Sequence, residues 1–233
     1  MAGGKLELLL LHALPLDGSM WAEQTTLLPE ATHAPTLYSL GDHMEAWANE
    51  ALKLMAGDRI IVVGCSVGGS CALEIAAIAP DRVAALVLIG TKARHRPDPT
   101  YHASALETLR KEGLETAWQN LWEPLFSRQA LPRTIGKARN ITLRQSLEDV
   151  ARGVTVFHTR TSRDQVLSTF PRPVIVVTGL DDVAPGPETS AKQADLAPSG
   201  RLHIVPGSGH YVPLERPDAL NAILRGVIAE HQP

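Results

Sequence analysis

The stretch Arg59-Ile60-Ile61-Val62-Val63-Gly64-Cys65-Ser66-Val67-Gly68-Gly69-Ser70-Cys71-Ala72-Leu73 decides the fold. It runs from an unbroken series of Ile and Val into an alanine-rich helical pattern, with Ser66 at the junction. Apolar runs without polar alternation are what a parallel strand covered on both faces requires. The helix that follows, Val67–Ala79, is ended by Pro80. No loop separates the two elements, so the chain must turn sharply at Gly64–Gly68. Such a turn forces the serine into a strained backbone conformation and pushes its hydroxyl out at the carboxyl end of the strand. Flanking glycines let helix and strand approach without Cβ clashes. The competing readings are an idle serine in a glycine-rich turn, or a phosphate loop. Neither G-x-G-x-x-G nor G-x-x-x-x-G-K-[ST] occurs, which argues against the second.

Outward from this stretch, the same alternation recurs. Apolar runs at Leu6–Leu11, Thr36–Leu40, Ala84–Ile89, Val174–Thr178 and Arg201–Val205 read as further strands. Helical patterns at Met44–Met55, Pro187–Leu196 and Pro217–Glu230 lie after them. Strand–helix alternation predicts an α/β fold, doubly wound, with a mostly parallel sheet of about six strands. One interval breaks the rhythm. About 80 residues separate Gly90 from Val174, far more than one crossover needs. This interval opens with Arg94–Pro99 and continues in helix-like segments at His102–Phe126, Leu131–Asn140 and Thr142–Arg152. The expected organisation is therefore a core of residues 1–92 and 167–233, with residues 93–166 inserted as a helical lid over the carboxyl ends of the strands.

Composition narrows the class. The chain has 233 residues, 44% of them hydrophobic, which suits one domain with a substantial core. Twenty-two basic and 25 acidic residues give a net charge of −3 without any block of one sign. That pattern predicts neither a nucleic-acid nor a membrane partner. The run Leu8–Leu11 is bracketed by Glu7 and His12 and is too short for a signal peptide or a membrane span. Two cysteines, Cys65 and Cys71, read as buried thiols in a reducing compartment, and a cytoplasmic location is expected.

Three further loops carry chemistry. Gly207-Ser208-Gly209-His210-Tyr211 follows the last strand, and the carboxyl ends of parallel strands gather on one side of a sheet. A histidine there can reach Ser66 as a general base. Gly179-Leu180-Asp181-Asp182-Val183-Ala184-Pro185 follows the strand Val174–Thr178 and offers a carboxylate to hold the imidazole tautomer. Adjacent residues on a tight turn point in different directions, so only one of Asp181 and Asp182 can face His210. The third loop, His12-Ala13-Leu14-Pro15, follows the first strand. It is placed to supply one backbone N–H to an oxyanion hole, and the residue after the serine supplies the other, giving Leu14 and Val67. His12 itself reads as a buried structural histidine. No metal is implied, since the nine histidines show no H-E-x-x-H or comparable spacing, and no cofactor is called for.

Taken together, H-x-x-P at His12–Pro15, G-x-S-x-G at Gly64–Gly68, the acid loop at Asp182 and G-x-x-H ending at His210 resemble the α/β-hydrolase superfamily, in its small serine esterase and lid-bearing branch. The resemblance covers nearly the whole chain. The order Ser66, aspartate, His210 is the family's order. Counted from the strand, Gly179-x-x-Asp182 matches the family's acid motif and favours Asp182; counted back from Pro185, Asp181 fits instead. The family usually has glycine after the oxyanion-loop histidine, where this chain has Ala13. It also usually opens with two extra antiparallel strands, so a trimmed sheet is expected here.

The resemblance implies hydrolysis of small carboxylic esters through an acyl-enzyme, on a small-molecule substrate. Carbon–carbon bond hydrolases, lactonases, thioesterases and perhydrolases of this fold share the triad. The first of these need basic side chains for a substrate carboxylate, a role open to Arg94, Arg96 or Arg160. A ligand sensor with negligible turnover is the alternative from another class. Trp118, Trp122 and Phe126, spaced by four, are expected to pack within the lid rather than line a pocket.

Overall fold

The computed structural model describes residues 5–232. Six strands form one sheet: β1 (Leu6–Leu11), β2 (Thr32–His33), β3 (Arg59–Cys65), β4 (Val83–Ile89), β5 (Val174–Gly179) and β6 (Gly200–Val205). Their spatial order is β2-β1-β3-β4-β5-β6, and every neighbouring pair is parallel. Strands β1, β4 and β5 are buried at every position, and β3 at all but its first. Their sequences are accordingly near-continuous in Leu, Ile and Val. Strand β6 lies at an edge and is largely exposed.

Helices cover the two faces. Helix α1 (Met44–Lys53) turns Met44, Trp47, Ala48, Ala51 and Leu52 inward, the i, i+3, i+4, i+7, i+8 stripe of a half-buried helix. Helix α2 (Val67–Ile78) is buried continuously from Val67 to Ala76, which explains its small side chains. The segment between β4 and β5 holds α3 (Pro99–Ala117), α4 (Pro132–Leu143), α5 (Leu147–Thr159) and α6 (Asp164–Thr169). Helix α7 (Gly186–Leu196) follows β5, and the short α8 (Val212–Glu215) and α9 (Pro217–His231) follow β6.

The expected strand at Thr36–Leu40 is not one. The edge strand is Thr32–His33, and Leu37–Leu40 is a turn of 3-10 helix. The backbone polar groups of that segment are taken by side chains instead of a sheet partner. The Leu37 N–H donates to His12 Nε2 at 2.8 Å, and Arg152 donates to the Tyr38 carbonyl at 3.0 Å. Boundaries within the insertion also differ. Helix α3 is kinked at Gly113 (φ 83°), and Trp118–Trp122 winds as a π turn. Helix α5 starts at Leu147 because the Ser146 hydroxyl accepts the Asp149 N–H at 3.1 Å as an N-cap.

Strand order sets the site. From β1 the chain moves outward to β2, then crosses back to β3 and continues through β4, β5 and β6 on the other side. The reversal leaves a crevice between the carboxyl ends of β1 and β3, where open α/β sheets bind ligands. Leu11 and Gly64 are register partners at those ends, so the loops that follow leave the sheet at the same level.

Candidate active site

Ser66 stands at the junction of β3 and α2 with φ 55° and ψ −115°. A positive φ is costly for a residue with a Cβ, roughly 1–3 kcal/mol, and persists only where the surroundings enforce it. Here they do. The Ser66 N–H donates to the Ile89 carbonyl at 2.8 Å, and Thr91 Oγ1 donates to the Ser66 carbonyl at 3.2 Å. Gly68 lets α2 start against β1: a Cβ there would lie 2.1 Å from the Leu11 carbonyl oxygen.

His210 is brought to Ser66 from the end of β6, and the two share a cavity of about 160 Å³ without a hydrogen bond between them. The imidazole Nδ1 lies 3.2 Å and 3.3 Å from the two carboxylate oxygens of Asp182. Both residues are nearly sealed from solvent. A carboxylate only accepts, so Nδ1 carries a proton, and in the neutral imidazole Nε2 then keeps its lone pair. Asp182 Oδ1 also accepts the Ala184 N–H at 2.8 Å, which fixes the carboxylate's orientation. Asp181 points elsewhere and accepts from the Ser127 hydroxyl at 2.5 Å.

Beneath this pair lies Gly90, at the end of β4 with φ 54°. A Cβ at Gly90 would sit 2.8 Å from His210 Nδ1 and 3.2 Å from Asp182 Oδ2. Any side chain at this position would crowd the hydrogen-bonded His210–Asp182 pair.

Leu14 also lines the cavity. Val67, as the first residue of α2, has no intrahelical acceptor for its N–H. His12 fixes the loop that carries Leu14: its Nδ1 donates to the Ala13 carbonyl at 3.0 Å and its Nε2 accepts from Leu37. Complete burial lowers its pKa to about 4, so it remains neutral in the protonation state these bonds need.

The match to known sequences follows this geometry. Residues 8–223 match the model of the Alpha/beta hydrolase family.

The chain belongs to the alpha/beta hydrolase family.

Among its relatives is the non-heme bromoperoxidase-named BpoC of Mycobacterium tuberculosis, 28% identical over 185 residues. That match covers 70% of this chain and 65% of the relative. A pimeloyl-[acyl-carrier protein] methyl ester esterase of Aromatoleum aromaticum is 36% identical over 93 residues, 36% of this chain and 37% of that one. Among solved structures, a thermophilic esterase of Thermogutta terrifontis with malate bound superposes with a TM-score of 0.89 at 26% identity. The superposition covers 99% of this chain and 92% of the esterase.

Two parts of this candidate site carry no local sequence signal. Glu215 is buried and collects backbone N–H groups from two directions: Ser127 at 2.9 Å, Gly209 at 3.1 Å and Tyr211 at 3.2 Å. Burial pushes its carboxyl pKa up, against the pull of those donors. The loop of His210 is thereby shaped by one carboxylate and also clamped to the insertion, where the His210 N–H donates to the Leu125 carbonyl at 2.9 Å. Tyr211, buried beside His210, packs its ring 4.7 Å from that of Phe126. Of the three aromatics expected to pack within the insertion, Trp118 and Phe126 do pack together at 5.9 Å, whereas Trp122 lines the cavity with Ser66. Among the described residues, no helix is long and apolar enough to cross a membrane.

Proposed function

We propose that this protein is a serine hydrolase that cleaves small carboxylic esters through an acyl-enzyme on Ser66. The observation that carries this reading is a set of three groups, two lining one cavity and the third bonded behind them. They are a serine at a strained strand–helix turn, an imidazole with a free Nε2, and a buried carboxylate on the other ring nitrogen. An imidazole held in that tautomer can take the Ser66 proton as the hydroxyl attacks a carbonyl carbon. The N–H groups of Leu14 and Val67 would receive the developing oxyanion. The leaving alcohol departs with the proton from His210, and water repeats the sequence on the acyl-enzyme, returning the acid and restoring Ser66.

Residues 93–166 act in this reading as a lid. Ala105, Leu121, Trp122, Val154 and Phe157 from the insertion face Leu14 across the cavity, so the acyl group meets an apolar wall. A cavity of about 160 Å³ suits a short acyl group. The likeness to an esterase of known structure, and to a methyl ester esterase over part of the chain, supports the ester bond as the target. The buried free thiols Cys65 and Cys71 fit a reducing compartment, in this reading the cytoplasm.

The test is labelling with a fluorophosphonate and turnover of p-nitrophenyl esters from acetate to octanoate, on wild type and Ser66→Ala. Stoichiometric labelling and turnover, both lost in the variant, are expected, with rates falling beyond short chains. Absence of labelling in the wild type would overturn the assignment of Ser66.

A further inference from the structure

Beside the cavity of Ser66, and sharing Phe157 and His158 with it, opens a larger cleft of about 820 Å³. That size lies within the roughly 300–1,000 Å³ usual for small-molecule sites. Its lining is strongly cationic. Five side chains (Lys92, Arg94, Arg96, Arg160 and Lys192) face two carboxylates, Asp98 and Asp164, in a protein whose net charge is −3. Two of the five are matched: Arg94 pairs with Asp164 at 3.3 Å, and Lys192 with Glu188 at 2.6 Å. Lys92, Arg96 and Arg160 pair with no carboxylate among the described residues.

Arg160 is the unusual member. It follows α5 and is only 7% exposed. Its guanidinium carbon sits 3.9 Å over the Phe157 ring, and one nitrogen donates to the Phe157 carbonyl. Among the described residues, no other hydrogen bond uses its remaining donors. Three residues on, Arg163 shows what a structural arginine looks like in the same neighbourhood: it grips Glu74 through two bonds of 2.7 Å. A buried cation without a counter-charge is unfavourable for the fold alone. With its carbon over the Phe157 ring, the guanidinium still has donors to offer, in the fork geometry that carboxylate and phosphate oxygens match.

We propose that this cleft is an anion subsite centred on Arg160, which holds a carboxylate or phosphate carried by the ester while its scissile carbonyl reaches Ser66. The proposal rests on the hydrolase reading above and adds the substrate class: small esters bearing a negative charge away from the scissile bond. Phe157 and His158 line both the cleft and the cavity of Ser66, so one ester would lie along this shared wall with its anion toward Arg160 and its carbonyl toward Ser66. Burial lowers the Arg160 pKa to about 10, which leaves it charged at neutral pH. It lowers that of His158 to about 4, with His102 and Arg160 adding to the effect, so the imidazole next to the guanidinium does not compete as a cation. Lys92 and Arg96 are exposed and would add long-range attraction rather than fixed geometry.

The experiment compares mono-p-nitrophenyl glutarate with its neutral counterpart, p-nitrophenyl methyl glutarate, as kcat/KM ratios over a range of sodium chloride. Wild type is expected to prefer the anionic ester at least tenfold at low salt, mainly through KM, with the preference shrinking as salt rises. Arg160→Gln should bring the ratio near one. Lys92→Gln with Arg96→Gln, both at exposed positions, should lower it about threefold and serves if the buried variant does not fold. Competition by inorganic phosphate against competition by glutarate separates the two anion types. Turnover that depends on Ser66 but shows no anionic preference would overturn the subsite and leave the hydrolase reading intact. If neither ester turns over, calorimetric titration with glutarate and phosphate decides. Binding weakened in the Lys92→Gln, Arg96→Gln protein keeps the subsite, and absence of binding removes it.

Discussion

The Tyr211 hydroxyl donates to the carbonyl oxygen of Leu14 at 3.1 Å, joining positions 197 residues apart. One side of this bond is the loop that carries His210; the other is the loop proposed to place the Leu14 N–H for the oxyanion. The proposed base and the proposed oxyanion donor are thus joined by a common tie. Tyr211→Phe keeps the ring and its packing on Phe126 but frees the Leu14 peptide. We expect kcat on p-nitrophenyl acetate to fall about tenfold with KM little changed, and stability to drop by about 1 kcal/mol. A variant that melts lower but keeps its kcat would mean that the bond serves the fold only.

Asp181 and Asp182 are adjacent yet face different partners, Ser127 and His210. Asp182→Asn should reduce kcat by about 10⁴-fold, because the amide no longer selects the Nδ1–H tautomer. Asp181→Asn should stay within about threefold in kcat and cost roughly 1 kcal/mol of stability from one weakened hydrogen bond. Equal losses in the two variants, measured by burst and steady-state kinetics, would contradict the assignment.

Gly90 leaves no space above it. Gly90→Ala combines a Cβ 2.8 Å from His210 Nδ1 with a φ of 54°. Something must yield, and the imidazole is the nearest atom group. A loss of roughly 1–3 kcal/mol in urea denaturation is expected, with kcat reduced at least a hundredfold in the folded fraction. Wild-type activity in the folded variant would show that the backbone absorbs the change.

His12 makes the fold sensitive to acid. Its folded pKa of about 4 lies below the 6.5 of an unconstrained histidine, so the unfolded chain binds more protons between these values. The stability this neutral histidine contributes is present above pH 6.5 and is lost as pH falls toward 4. The full effect is of order 3 kcal/mol. Urea midpoints measured from pH 7 to pH 4.5 should therefore decline, and His12→Gln should flatten part of that slope. A wild-type midpoint constant across this range would refute the coupling.

Much of the site was legible because its signals are local. A buried apolar strand, a G-x-S-x-G turn and an alanine-rich helix are contiguous in sequence, and the structure places them as read. The Asp and His loops sit directly after strands, so strand order alone brings them to one end of the sheet. The misread segment, Thr36–Leu40, has the aromatic and apolar composition of a strand. Its conformation is decided by His12 and Arg152, which lie 25 and 114 positions away from their partners. Glu215 escaped for the same reason: one of its donors, Ser127, is 88 residues distant. The kink at Gly113 and the π turn at Trp118–Trp122 are invisible to a pattern that only counts apolar spacing. Arg160 was noted only as one of three basic candidates, because burial without a counter-charge is a property of the folded chain.

The clamp between Leu125–Ser127 and the loop of His210 bears on how this protein can be recombined. An insertion joined only at its two ends is a cassette that can be traded for another to change selectivity. This one is also anchored along its length, and in its middle Glu215 takes the Ser127 N–H and the Leu125 carbonyl takes that of His210. Exchanging residues 93–166 as a block would remove part of the support under the histidine. Chimeras that keep residues 125–130 from the parent and replace the helices on either side would leave that support in place, while still renewing the cavity walls.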